Sequence, residues 1–452
     1  MSEIKFRNIA AIIELRITEG QYPAGSKLPP HRELAQELNT TPATIAKAYK
    51  LLAEKNRVES FVGRGTYVCG ESNLSQAIHP PENETEYNFS ILQPCLHQNT
   101  VQLQTAFQQA ATQLTPALTG YVEHSGHEQH RHAGVTWARQ YGLAGGTPHN
   151  TLLTNGAQHA LSLLITAFTK PGDTIAVESL TYPGILAIAS LQGRHVVGVA
   201  LDDDGMCPHS LREVLGQYHP KLVIVIPSHQ NPTGITMPAQ RRQAIATVIA
   251  TSSAWLVEDD IYGFLNPEPL PSICNWLPEQ GFHISSLSKA ISPALRCGYV
   301  KVPDSQVVTV NAQIRANIWL SSPFNHTVAS QMIESGQAFD IADAQRATAL
   351  RRQALARSVL TGSAVDLSEQ KHNGFQIWLP LPAHWQQERF VMEAKHRGLI
   401  VSSGSYFQAD HATPGNHVRL SLMSVSTEAR LQEGLSQLND LLHSDMNTVF
   451  PF

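Results

Sequence analysis

Ser286-Leu287-Ser288-Lys289, followed by Arg296, is the stretch on which the fold turns. It sets an amine beside two hydroxyls and places a guanidinium soon after. Alone, a lysine behind serines says little. Its meaning depends on what stands upstream at the ends of candidate strands.

Upstream, short apolar runs alternate with helical segments. The runs are Leu152–Thr154, Thr174–Val177, Val196–Val199, Leu222–Ile226 and Trp255–Val257. Helical spacing covers Ala157–Phe168, Ile185–Leu191, Leu211–Tyr218 and Arg241–Thr251. Such alternation predicts a mainly parallel sheet with helices on both faces. After about residue 330 the pattern changes. A long helix is expected over Phe324–Leu360, interrupted or bent near Gly336–Ile341, then a small α+β subdomain with Phe375–Leu379, Val418–Leu422 and a last helix Thr427–Leu442.

Several polar residues fall at the strand ends. Asp259 follows the Trp255–Val257 run, and Tyr262 stands three residues later. Asn231 opens Asn231-Pro232-Thr233-Gly234, and Tyr182 lies in Thr181-Tyr182-Pro183-Gly184. Gly156-Ala157-Gln158 precedes an apolar helix, whose first amides suit an anion. Together these make a pyridoxal phosphate site. That coenzyme needs an amine for its Schiff base, a carboxylate at its pyridine nitrogen and donors for its phosphate. Lys289 supplies the amine and Asp259 the carboxylate. Asn231 and Tyr262 can reach the ring hydroxyl, Tyr182 can stack on the ring, and Ser286, Ser288 and Arg296 can hold phosphate. Read singly, each has a plainer meaning: Asn-Pro-Thr-Gly is a good turn, Asp259 a capping residue, Tyr182 a core aromatic.

The N-terminal residues speak of something else. Ile4, Ile9, Ile12, Ile13 and Ile17 crowd one helix face, stopped by Gly20 and Pro23-Ala24-Gly25. A second helix is expected over His31–Leu38, and Pro42 suits the first turn of a third, reaching Leu52. Val58–Val68 then alternates around Gly63-Arg64-Gly65, a tight turn between two strands. Three helices and a hairpin predict a winged helix-turn-helix. Arg32, Thr41, Thr44, Lys47 and Arg64 are the candidate DNA contacts. The plainer alternative is a small scaffold with a solvated charged face.

Charge agrees with a split. Residues 1–68 carry ten Lys/Arg against seven Glu and no Asp, or +3, which leaves -8 on the remainder of a chain whose formal charge is -5. The 452 residues suffice for two or three domains. Five scattered cysteines show neither metal-ligand spacing nor a disulfide framework, so no metal is expected. No signal peptide or membrane span is read, and the expected location is the cytoplasm, at the nucleoid through DNA.

The motifs resemble known families. Leu28-Pro29-Pro30-His31-Arg32-Glu33-Leu34-Ala35 and Gly63-Arg64-Gly65-Thr66-Tyr67-Val68 resemble GntR-type winged-helix regulators. Residues from about 88 to 445 are similar to a fold type I aminotransferase. Their fusion in this order resembles the MocR subfamily of bacterial transcription regulators. The resemblance implies domains at 1–69 (winged helix), 88–330 (coenzyme-binding) and 331–452 (interdomain helix and small subdomain), with 70–87 as linker.

It implies roles as well. Lys289, Asp259, Asn231, Tyr262, Tyr182, Ser286, Ser288 and Arg296 match the coenzyme positions named above, and Ala157 and Gln158 close the phosphate cup. Arg419 matches the clamp for an amino acid's α-carboxylate. Tyr121 matches a tyrosine that reaches the neighbouring subunit's coenzyme phosphate, which implies a homodimer, with one chain's head over the other's large domain. Three positions depart from the pattern: Thr41-Pro42 replaces Ser-Arg in the head, Leu92 replaces a glycine near the substrate carboxylate, and Ser403-Gly404 replaces Pro-Gly. The expected function is a coenzyme-responsive regulator of a DNA operator. Its effector is the coenzyme or that coenzyme's adduct with an amino compound. The alternatives are a true aminotransferase with a vestigial head, Lys289 and Asp259 then being catalytic, and a DNA-binding scaffold that has lost the coenzyme.

Overall fold

The structure, a computed structural model, describes residues 2–18, 21–22, 26–54, 57–61, 65–68, 86–122, 126–360, 365, 367, 372–409 and 415–444. The chain divides into two compact units, Met1–Gln76 and Ala77–Phe452.

The first unit holds α1 (Ser2–Thr18), α2 (His31–Glu37), α3 (Pro42–Glu54) and a hairpin of β1 (Val58–Phe61) and β2 (Gly65–Val68). Residues four apart on a helix share a face. Ile9 and Ile13 on α1 therefore meet Leu34 on α2 and Ile45, Tyr49 and Leu52 on α3 in one core. Each large aliphatic chain fully buried there contributes roughly 1.5–3 kcal/mol. Val58 and Val68, opposite each other in the hairpin, close that core. Gly63 and Arg64 of the tight turn lie outside the described residues.

The second unit is built on a seven-stranded sheet. Its strands are β3 (Thr151–Thr154), β4 (Thr174–Glu178), β5 (His195–Val199), β6 (Leu222–Val225), β7 (Trp255–Asp259), β8 (Gly281–Ser286) and β9 (Gly298–Lys301). Their order across the sheet is β3-β9-β8-β7-β6-β4-β5. β9 runs antiparallel to both neighbours, and the remaining pairings are parallel. The expected alternation is present, with helices at Ala157–Phe168 (α4), Pro183–Leu191, Pro208–Tyr218 and Ala239–Ala250. β8 and β9 are additions to the sequence reading. His283, Ser285 and Ser286 break the apolar run of β8, although all three are buried.

The expected long helix is two, Pro323–Glu334 and Gln337–Leu360 (α5), separated at Gly336 with φ 86°. That break falls inside the stretch where an interruption was expected. The small subdomain follows as a three-stranded antiparallel sheet, with Gln376–Pro380 and Ser402–Ser403 flanking His417–Ser421, and the helix Glu428–His443. Of the stretch read as a linker, residues 70–85 lie outside the described residues. Tyr87 already belongs to folded structure: Tyr87–Asn88 pairs in parallel with Leu399–Ile400.

Candidate coenzyme and effector site

Register brings the site together. Thr154 pairs with Gly298, and Gly298 pairs with Ser286, across three adjacent strands. Asp259 pairs with Ile284, two residues short of Ser286. Thr154, Asp259 and Ser286 are all last residues of their strands. They therefore share the carboxyl edge of the sheet, where open α/β sheets bind ligands.

At that edge the chain makes a cup. Gly156 has φ 77°, and a Cβ there would stand 2.7 Å from Arg296 Nη2. A Cβ on Gly298 would stand 2.6 Å from Thr154 Oγ1 and 2.7 Å from the Gly156 carbonyl carbon. Only glycine permits this approach of three strand ends. Arg296, itself left-handed at φ 51°, donates from Nη2 to the Asn155 carbonyl at 2.8 Å. Ser286 Oγ lies 3.0 Å from Ser288 Oγ and accepts the Ser288 N–H at 3.2 Å. The first main-chain bond of α4 runs from Ala160 N to Gly156 O at 3.3 Å. The amides of Ala157 and Gln158 precede it and point out of the helix N-terminus, an anion-binding geometry.

Beside the cup stand the ionisable groups. Asp259 is buried, its Oδ1 meets no hydrogen-bond partner, and its carboxyl is raised to about 7 by burial and the neighbouring Asp260, against the charges of Lys289 and His283. Lys289 donates from Nζ to the Leu92 carbonyl. Burial and Arg419 lower its amine to about 8, with Asp259 opposing and Arg296 adding to the lowering. Tyr182 packs over Gly184 next to Gln158, since a Cβ on Gly184 would stand 2.6 Å from Gln158 Oε1. Burial and Asp259 push the Tyr182 hydroxyl up to about 12, while burial also pushes up that of Tyr262.

Arg419 is buried on the middle strand of the small sheet. Its Nη1 donates to Asn231 Oδ1 at 3.0 Å, and its Nη2 donates to the Ser90 carbonyl and to Ser402 Oγ at 3.1 Å. The guanidinium carbon lies 4.8 Å from the centre of the Phe407 ring. Burial lowers Arg419 to about 10, against the pull of Tyr262 and Tyr182. Its Nε meets no partner. The oxygen of Asn231 is thus engaged with the guanidinium in this arrangement.

Sequence reasoning missed Ser90, Ser402, Phe407 and the carbonyl of Leu92. Two of these contacts are backbone carbonyls, which leave no mark in side-chain chemistry. Leu92, singled out as a departure, is buried, and its contact with Lys289 is through the backbone. Ser403, the other departure in this domain, is also buried, with its Oγ 2.9 Å from Ser405 Oγ. Tyr121 stays out of this chain's site. It is 84% exposed and meets Trp319 edge-on at 5.3 Å.

In the first unit, Thr41 caps α3: its Oγ1 accepts from Thr44 N at 3.3 Å and lies 2.8 Å from Thr44 Oγ1. Arg32, Thr41 and Lys47 are exposed, and Thr44 is half-buried. Lys47 lies one turn beyond Thr44, away from the buried Ile45, Ala48 and Leu52. Among the described residues, no cluster of His, Cys, Asp or Glu could hold a metal ion, and no helix is long and apolar enough to cross a membrane.

Comparison with known proteins agrees with both halves. Residues 84–438 match the family described as aminotransferase class I and II, and residues 5–68 match the gntR family of bacterial regulatory proteins. The chain is 29% identical over 454 aligned positions to the uncharacterized HTH-type transcriptional regulator YdeF of Bacillus subtilis, covering 97% of this chain and 94% of that one. It is 27% identical over 418 positions to the vitamin B6 salvage pathway transcriptional repressor PtsJ of Salmonella typhimurium, covering 92% and 94%. A multiple substrate aminotransferase from Thermococcus profundus shares the fold, with a TM-score of 0.73 at 20% identity over 81% of this chain and 93% of that structure. The chain belongs to the class I and II aminotransferase family, in the MocR-type group of regulators that carry a GntR-type helix-turn-helix head.

Proposed function

We propose that this regulator binds pyridoxal 5′-phosphate at Lys289 and reads the coenzyme, or its adduct with an amino compound bearing a carboxylate, to change how it holds DNA. One observation carries this reading. A half-buried amine of low pKa, a buried carboxylate with an unpartnered oxygen, a glycine-lined anion cup and a buried guanidinium converge on one sheet edge, in a chain with a winged-helix head.

The residues fit the coenzyme. Asp259 Oδ1 is a buried acceptor that still lacks a donor, as a protonated pyridine nitrogen would supply. The cup at Gly156, Ala157, Gln158, Ser286, Ser288 and Arg296 offers donors for phosphate. Tyr182 and Tyr262 lie near Asp259 and Arg419. When bound, the coenzyme supplies an aldehyde that condenses with an amine. Lys289 provides that amine, Asp259 holds the ring end, and Arg419 receives a carboxylate. PtsJ, by its name, is a transcriptional repressor of a vitamin B6 salvage pathway, which supports the free coenzyme as a candidate effector.

The route from site to head is in the chain itself. Residues 86–95 lead back in sequence toward the head. Ser90 O takes a hydrogen bond from Arg419, Leu92 O takes one from Lys289, and Cys95 N donates to Gln345 Oε1 on α5 at 2.8 Å. A ligand that engages Lys289 Nζ or Arg419 Nη2 changes what holds this backbone. Such a differential contact is what a ligand-driven switch requires. The exposed Tyr121 and Trp319 support a homodimer, with Tyr121 facing a second copy.

The direct test is spectroscopic. Purified protein mixed with pyridoxal phosphate should develop a visible band, and borohydride should fix the coenzyme on the peptide that contains Lys289. No band, or a label on another lysine, overturns the reading.

Uptake should also depend on pH in a defined way. A lysine lowered to about 8 offers its free amine above that pH, so the uptake rate should fall about tenfold per unit below it and level off above. A rate still climbing tenfold per unit near about pH 9–10 would mark an ordinary lysine. In the head, Arg32→Ala should lower DNA affinity by about 1 kcal/mol or more while coenzyme absorbance stays normal. Unchanged affinity at moderate salt would place the recognition surface elsewhere.

A further inference from the structure

His159 stands in the first turn of α4, next to Gln158 of the cup, and nothing so far uses it. Its Nδ1 accepts a hydrogen bond from the Asn155 N–H at 3.1 Å. The carbonyl of the same Asn155 accepts from Arg296 Nη2 at 2.8 Å. Asn155 is therefore gripped on both sides, its N–H by an imidazole and its carbonyl by a guanidinium. Gly156, the next residue, donates to Thr154 O at 2.9 Å and leaves no room for a Cβ against Arg296. The turn has few ways to relax if one grip is lost.

The imidazole must be neutral at Nδ1 to play this part, because a proton there would face the Asn155 N–H. Its surroundings agree. Burial lowers the pKa of His159, the nearby Asn317 opposes this, and the charge of Arg296 adds to the lowering, while Nε2 meets no hydrogen-bond partner.

We propose that His159 is a positioning residue for the phosphate end of the site: as a neutral acceptor it fixes Asn155, and through Asn155 it sets where the Arg296 guanidinium stands beside the amides of Ala157 and Gln158. The inference rests on the coenzyme reading above. It also restricts the effect to one end of the ligand. Lys289 and Asp259 take their places from β7, β8 and the loop after β8, so the aldehyde and ring ends do not depend on this grip.

The test compares two ligands on full-length protein. Pyridoxal has the same aldehyde and ring as pyridoxal phosphate but no phosphate. Both are titrated by absorbance against the unaltered chain, His159→Leu and His159→Gln. The leucine variant should bind pyridoxal phosphate about tenfold more weakly, the usual effect of losing one hydrogen bond to a strongly held group, with pyridoxal unchanged. The glutamine variant keeps an acceptor without an imidazole and should recover most of the loss. Equal weakening for both ligands would mean that His159 only supports the fold, and no weakening for either would mean that it does nothing for the cup. Either result overturns the proposal while leaving the coenzyme reading in place. An unaltered chain that binds neither ligand overturns the coenzyme reading itself, and this inference with it.

Discussion

Lys289→Ala should abolish the response to pyridoxal phosphate and leave DNA binding intact. The substitution removes the amine placed among Asp259, Arg419 and the cup. It leaves the carbonyl of the buried Leu92 without its donor, which costs roughly 1–3 kcal/mol of stability. The winged-helix unit, with its own core from α1 to β2, shares none of these contacts. Coenzyme affinity should fall on the order of 100-fold, about 2.7 kcal/mol, and the visible band should vanish. DNA titrations with and without coenzyme measure the outcome. A variant that still responds as the parent does would remove Lys289 from the mechanism.

Arg419→Met should separate coenzyme binding from the sensing of a carboxylate. Arg419 donates to Asn231 Oδ1, the Ser90 carbonyl and Ser402 Oγ from a buried position. Methionine fills similar length but donates nothing. Each buried acceptor left without a donor costs roughly 1–3 kcal/mol, so thermal stability should drop by several degrees. The coenzyme band should persist, because Lys289, Asp259 and the cup all remain, although loss of the Arg419 charge lets the Lys289 amine rise. Any spectral change that the parent shows on adding amino acids should disappear. If amino acids still shift the spectrum at the parent's concentrations, the carboxylate is read elsewhere.

Much of this molecule was legible in its sequence, and the reason is specific. Helix spacing at Ile9, Ile13, Leu34, Ile45 and Leu52 announced the head, since a small domain has few ways to bury such faces. The parallel sheet was legible because β4, β6 and β7 are covered on both sides and read as near-continuous apolar runs. β8 and β9 were hidden for a related reason. In β8, His283, Ser285 and Ser286 interrupt the apolar run, Ser286 in the cup itself, and β9 is four residues long and ends in Lys301, which donates to the Pro278 carbonyl. Lys289, Asp259, Tyr182, Arg296 and Arg419 carry chemistry in their side chains and could be named before any coordinates. The carbonyls of Ser90 and Leu92 could not, because any residue has one. Nor could His159 be singled out among 21 histidines, since its role depends on a main-chain turn.

Whether the coenzyme governs DNA binding is decided by a titration of the purified protein against DNA from its own upstream region, with unrelated DNA as control, at fixed salt, and with and without pyridoxal phosphate. Fixed salt matters because phosphate contacts alone make affinity salt-dependent. The expected result is selective binding whose strength or footprint changes with the coenzyme. Selective binding that is the same in both conditions would contradict a coenzyme-reading regulator. Absence of selective binding in both, together with steady transamination of amino acids, would place the chain with enzymes instead.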